Sequence, residues 1–397
     1  MEHTTVQEAK RLLKINGIFS FALSLGGIFL QVFLFTLGGF RAVVEYNLVS
    51  AFMVIIFYFI SGWLLTRVTL RKCLLLGLGA HILLFSLLFL FREQSLVLLI
   101  PLGVVNGMAI AVFWGAMAPL QYVLTTDETR YKFFGHQSFL FSITGGIAPM
   151  FGGVLISLSG FLVSKEFGYS FIFFLIALLM VVCYREAKKL PEYETMVFSF
   201  TYVIRHRRSR VWKLALLQDF FYGLFDFMFA SFAAIIMFLI VKSEFLLGFV
   251  NGAGSIVAAC AGLLAGVILA KRKTSLITTA MIASSGIALF VWQQNWWGLT
   301  AFIFLFNAAM PILGVASAKM LFDMLDRSKK EWQKTYYLFF EREIALGVGR
   351  IASLLIFLLV VSNQNQFEIA RIAIGLLAIV PLCIGLILWR IAINVHH

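Results

Sequence analysis

The 397-residue chain is 61% hydrophobic and 13% charged, against ~25% charged residues in an ordinary soluble domain. So few charges cannot cover the water-facing surface of a fold this size, which excludes a soluble enzyme, a disulfide-rich secreted module and a disordered tail. A net charge of +13 would suit nucleic acid only if the basic residues formed one soluble face, and their placement argues otherwise.

The N-terminus sets Lys10, Arg11 and Lys14 ahead of a long apolar run with no small-residue cleavage site. That reads as a first transmembrane helix, not a signal peptide. Breaks at charges and turn residues predict spans near 15–38, 45–66, 73–91, 95–124, 135–160 and 168–184. A second set lies near 212–240, 244–270, 274–291, 297–324, 334–361 and 367–390. About 20 apolar residues cross a bilayer core, so the expected fold class is an all-α polytopic membrane protein of twelve transmembrane helices. The domain plan is an N-terminal six-helix half (1–184), a basic linker (185–211) and a C-terminal six-helix half (212–397). The linker holds Arg185, Lys188, Lys189, Arg205, Arg207, Arg208 and Arg210.

With the N-terminus inside, the inner tails and loops hold 24 Lys/Arg. The outer loops hold five (Arg41, Arg92, Lys165, Lys242 and Arg371), and the remaining three lie inside spans. The positive-inside rule then predicts both termini in the cytoplasm and accounts for the net charge without nucleic acid. The compact loops point to a bacterial plasma membrane, and the linker reads first as a topology signal, with contact to anionic lipid as the second reading. Cys73, Cys183, Cys260 and Cys383 lie in or beside apolar runs without metal-ligand spacing and read as buried hydrophobes. No metal, cofactor or enzymatic activity is expected. The lack of a Gly-Lys-Ser/Thr phosphate loop argues against ATP-driven transport.

The halves repeat weakly. Gly62 to Arg67 at the end of span 2 is echoed by Gly266 to Lys271 at the end of span 8, and Asn106 in span 4 corresponds to Asn307 in span 10. A repeated half suits a rocking transporter with its site between the halves. The loop after span 2 contains Gly62, Thr66, Arg67, Thr69, Leu70, Arg71 and Lys72. It is similar to the signature Gly-x3-Asp-Arg-x-Gly-Arg-Arg of the major facilitator superfamily, the twelve-helix secondary transporters. Gly62, Arg67, Arg71 and Lys72 match, whereas Thr66 and Thr69 replace the acidic residue and the second glycine. The resemblance implies a loop that helps latch the two halves on the cytoplasmic side, here without its usual carboxylate.

Span 5 carries Arg130, Gly135, Gly145, Gly146, Ala148, Pro149, Gly152 and Gly153, which resemble the proline-glycine motif of the family's antiporters. Glycines let helices approach closely, and proline frees a carbonyl and bends the helix. Gly152 and Gly153 are expected against a helix of the opposite half in at least one transport state, with simple close packing as the other reading. Residues 95–121 contain no Lys or Arg, a departure from proton-coupled exporters with a basic residue in span 4.

Ionisable residues deep in spans are costly, ~2.5–3.5 kcal/mol or more at a helix centre unless paired. Asp219 and Asp226 in span 7 are seven residues apart on one helical face, with Tyr222 and Gly223 between them. At ~1.5 Å per residue from Trp212, they sit ~10 and ~21 Å into the membrane. The resemblance implies that span 7 lines a central cavity, which makes Asp226 the first candidate for a cavity carboxylate. In span 11, Glu343 and Arg350 share a face, and Arg350, protonated in essentially any environment, requires an acidic partner, Asp226 or Glu343. A structural ion pair and a proton-carrying one both fit this pattern. Candidates for hydrogen bonding to cargo are Gln31, Asn106, Trp114, Gln121, Asn251 and Asn307, each equally able to bond between helices. His81 reads as a packing residue, and His136 and Gln137 as gate candidates.

The resemblance implies a secondary active transporter working by alternating access. The favoured form is proton-coupled efflux of a hydrophobic or amphipathic small molecule, cations included. A lipid or glycolipid flippase, a nutrient importer and a non-transporting receptor or scaffold are the alternatives. Expected partners are that small-molecule or lipid-like substrate, protons and membrane lipids, on a monomer.

Overall fold

Backbone polar groups inside lipid must be satisfied within their own segment, which favours helices. In a computed structural model, all regular secondary structure among the described residues is helical. The structure describes residues 2–125, 127–193, 201, 205, 208–271, 275–327, 332–361 and 365–394; Arg207 of the linker lies outside them.

The first helical run, Glu2–Leu65, has 64 residues, about three times what a bilayer core needs. It folds back at Gly38 and Gly39, where Gly39 has φ 67°, a left-handed conformation that glycine adopts without a Cβ penalty. The N–H of Phe40 at this bend donates to Oε1 of Gln366, 3.0 Å away. We label the two legs α1 (2–37) and α2 (40–65). The sequence places a longer connection between spans 1 and 2; it is shorter because two glycines suffice to reverse the chain.

The remaining helices are α3 (Leu70–Phe91), α4 (Leu99–Val123), α5 (Asp127–Leu162) and α6 (Lys165–Ala187). After the linker come α7 (Arg210–Val241), α8 (Glu244–Lys271), α9 (Ser275–Gln293), α10 (Trp296–Arg327) and α11 (Trp332–Val360). Thr69, Ser164 and Ser209 cap α3, α6 and α7 through side-chain oxygens that accept backbone N–H groups. The last crossing is split into α12 (Gln366–Leu377) and α13 (Val380–Asn394). Pro381 supplies no N–H for the carbonyl of Leu377, so the helix breaks there. Eleven helices among the described residues are long and apolar enough to cross a membrane, the first of them running from Gln7 to Leu65. Counted at its bend, that run crosses twice, which makes twelve crossings.

Helices α1–α6 pack among themselves, as do α7–α13, and the two groups meet along α5 with α8, α2 with α11, and α2 with α7. Side chains such as Ile100, Phe139, Leu263 and Leu359 point outward, as a lipid-facing surface requires. His81 is buried; its Nδ1 lies 2.9 Å from the Gly77 carbonyl and its ring is edge-on to Phe19, a packing role.

Candidate functional site

A cavity of ≈ 710 Å³ lies where the two groups of helices meet, walled by α1, α2, α4 and α5 on one side and α7, α8 and α10 on the other. Its aromatic wall is a stack on α7 and α10. Phe225 lies on Phe229 with centroids 4.0 Å apart, Phe302 on Phe306 at 4.9 Å, and Phe229 meets Phe306 at 5.1 Å. Amide side chains face it as well: Gln31, Asn47, Asn106, Asn251 and Asn307. Asp226 is the only carboxylate among the described residues of this wall.

Asp226 is placed by an unusually close crossing of α7 and α11. A Cβ on Gly223 would overlap the carbonyl oxygen of Leu346, and one on Gly349 would overlap that of Phe220. With no side chain at either point, the helices approach until Arg350 reaches Asp226, Nη2 to Oδ2 at 2.7 Å and Nε to Oδ2 at 2.9 Å. Nη1 of Arg350 also lies 3.4 Å from Oε2 of Glu343, and the guanidinium carbon sits 4.7 Å over the ring of Phe227, a cation–π contact. Arg350 is nearly buried, whereas 31% of the Asp226 side chain is exposed, toward the cavity. Two carboxylates share one guanidinium, so the cluster formally carries one unbalanced negative charge.

A second rung lies two helical turns nearer the basic end of the bundle, where Nε of Arg342 is 3.4 Å from Oδ1 of Asp219. Beyond it, buried Glu341 accepts the Trp212 indole N–H at 2.6 Å and pairs with Arg208 at 3.2 Å. These partners, Arg342, Trp212 and Arg208, were not singled out in the sequence. A signal was present: Asp219 and Asp226 are seven residues apart, Arg342 and Arg350 eight, so two parallel helices in contact can match both pairs.

The other candidates divide. Tyr222, Asn106, Asn307 and Gln31 line the cavity. The Asn106 amide donates to Ser50 Oγ at 3.0 Å. Gln31 Oε1 accepts from Asn47, whose amide also reaches Ser231 on α7. Trp114 is not on the cavity wall; it packs edge-on against Phe113 at 5.4 Å and Phe19 at 6.3 Å. Its large apolar ring is taken up by packing against α1 and its own helix α4.

The loop after α2 latches differently from what the resemblance implies. Arg71 donates to the Leu190 carbonyl at 2.9 Å and pairs with Glu192, while Arg67 stacks on Trp63 at 4.2 Å. Gly62 is buried at the end of α2, and the backbone N–H of Lys72 caps onto Thr69. With Thr66 in the acidic position, the arginine instead finds the chain that follows α6. The side chain of Arg130 lies outside the described residues. In α5, Gly153 faces the other group of helices, 2.5 Å from the Glu244 carbonyl for an added Cβ, but Gly152 faces α1 of its own group, against Phe29 and the Leu25 carbonyl. The two adjacent glycines face different groups in this state because neighbours in sequence point ~100° apart. Where α8 begins, buried Glu244 receives Lys165 at 3.2 Å and the Tyr169 hydroxyl at 3.4 Å, bridging the groups at the end opposite the basic one.

The family model described as Major Facilitator Superfamily matches residues 15–341. The chain is 26% identical over 360 residues to Uncharacterized protein YqgE of Bacillus subtilis (strain 168), covering 89% of this chain and 83% of that one. Its fold is similar to that of the E. coli fucose:proton symporter FucP, with a TM-score of 0.65, 14% identity and coverage of 96% and 98%. It is also similar to a bacterial homologue of the iron transporter ferroportin in its inward-facing state, with a TM-score of 0.68, 11% identity and coverage of 96% and 99%.

Proposed function

From the premise that this chain belongs to the Major Facilitator Superfamily, we propose that it exports an amphipathic, cationic small molecule by alternating access, in exchange for protons. The observation that supports this most is the cluster of Asp226, Glu343 and Arg350 at the cavity. Its one unbalanced negative charge is expensive at membrane depth, and either a proton or a cationic cargo neutralises it. Binding of one then disfavours the other, which is the competition an exchanger needs. The stacked phenylalanines offer an apolar face for the body of the cargo, and the amides offer hydrogen bonds that fix its orientation.

Proteoliposomes with an acidic interior test this reading. An aromatic monocation such as ethidium is expected to accumulate inside as protons leave, and to stop when an ionophore collapses the gradient. Accumulation that ignores the gradient would remove the proton coupling. No accumulation across a panel of aromatic monocations, alongside uptake of a neutral solute, would remove the cationic cargo.

The proposal places the protein in a bacterial plasma membrane with both termini in the cytoplasm, on the strength of the basic bias of one end. Arg92→Cys and Lys242→Cys should then label with an impermeant thiol reagent on intact cells, and Lys188→Cys only after lysis. The reverse pattern would invert the orientation.

A further inference from the structure

Pro149 has no N–H, so the carbonyl four residues back on α5, that of Gly145, has lost its helical donor. A bare carbonyl at membrane depth is costly. Here it is met from the opposite group of helices. The Ser255 hydroxyl of α8 donates to the Gly145 oxygen at 2.8 Å, and the Asn251 amide reaches the same oxygen at 3.4 Å. Two glycines of α8 permit the approach: Gly248 faces the Pro149 carbonyl, and Gly252 faces Met150 and the Gly146 carbonyl. Gly145, Pro149, Asn251 and Ser255 all lie on the cavity wall.

Ser255 has a second option. Its hydroxyl also lies 3.1 Å from the carbonyl of Asn251, one turn back on its own helix. If α5 and α8 part, that internal acceptor takes the hydroxyl fully, and water entering the cavity meets the Gly145 oxygen. Neither side is then left bare, so the contact can break and re-form at low cost.

We propose that the Gly145 carbonyl freed by Pro149, together with Ser255 and Asn251, forms a reversible clasp across the α5–α8 seam that sets how readily the two halves part. It rests on the halves moving relative to each other, but on neither the cargo nor the coupling ion proposed above. The proline thus acts by exporting an acceptor to the opposite half, beyond bending its own helix.

The test uses full-length protein in lipid nanodiscs without cargo or gradient, so that its failure is separable from failure of the transport reading. Spin labels at Leu158→Cys on α5 and Phe249→Cys on α8, both at exposed positions, with exposed Cys260 replaced by Ser, report the distribution of seam distances. Ser255→Ala should raise the open-to-closed ratio about three- to tenfold, the effect of one net hydrogen bond, while Ser255→Thr, which keeps the hydroxyl, should leave the seam predominantly closed. Pro149→Ala returns a helical donor to Gly145, and in that background Ser255→Ala should have no further effect. Pro149→Ser serves in its place if the alanine variant fails to insert. An unchanged ratio in Ser255→Ala, or the same shift with and without Pro149, would overturn the clasp.

Discussion

Asp226→Asn is expected to abolish proton-driven transport while the protein still folds and still exchanges cargo in the absence of a gradient. The reason lies in the sharing of Arg350. Removing the Asp226 charge leaves Arg350 with Glu343 at 3.4 Å, a neutral pair, so no charge is stranded. Removing the arginine is different. Arg350→Gln leaves two carboxylates facing each other without a cation, and breaking such a buried arrangement typically costs ~3–5 kcal/mol. Expression and melting temperature should fall sharply in Arg350→Gln and little in Asp226→Asn. The double variant should recover part of the lost stability, because only Glu343 remains uncompensated, yet recover no proton coupling. Undiminished proton-driven transport by Asp226→Asn would sink the carrier role and move attention to Asp219, whose partner Arg342 lies one rung away.

The second large effect belongs to Gly223. In an ordinary exposed stretch of helix, glycine to alanine stabilises by ~1 kcal/mol. At Gly223 the added Cβ would meet the backbone of Leu346, which has no rotamer to yield. Gly223→Ala should therefore destabilise, and Gly223→Val more so, at or above the ~1–3 kcal/mol usual for overpacking. Gly314→Ala is the control, because nothing lies within 4 Å of its added Cβ. Melting temperatures of the purified variants decide the matter by sign: a rise in Gly223→Ala would mean that α7 and α11 do not cross so closely. Because this crossing seats Arg350 against Asp226, the loss of stability should be accompanied by loss of transport.

Several contacts of the motif residues depend on segments far away in the chain. Arg71 was legible as part of a basic loop, but its partners at 190–192 lie 119 and 121 residues away, beyond any local pattern. Asn106 and Trp114 sit eight residues apart on the same span, and both were candidates for touching cargo. One faces the cavity and the other packs against Phe19 and Phe113. Nothing in the span distinguishes them, since an apolar helix shows little contrast between the face turned to lipid and the face turned to protein. Gly152 and Gly153 are the same case at the scale of adjacent residues.

Membrane class, helix positions and the reversal between the first two crossings follow from the sequence by itself. Apolar content and backbone satisfaction are properties of each segment, and lipid enforces them locally. It also follows from the sequence that Arg350 requires an acid, because a lone guanidinium at that depth is untenable. That Arg350 is shared by Asp226 and Glu343, that Arg342 takes Asp219, and that the carbonyl released by Pro149 is met by Ser255 were decided only in the tertiary structure. Each depends on how far a helix is rotated about its own axis and how closely it meets another, and the side chains that set those two quantities belong to segments far apart in the chain.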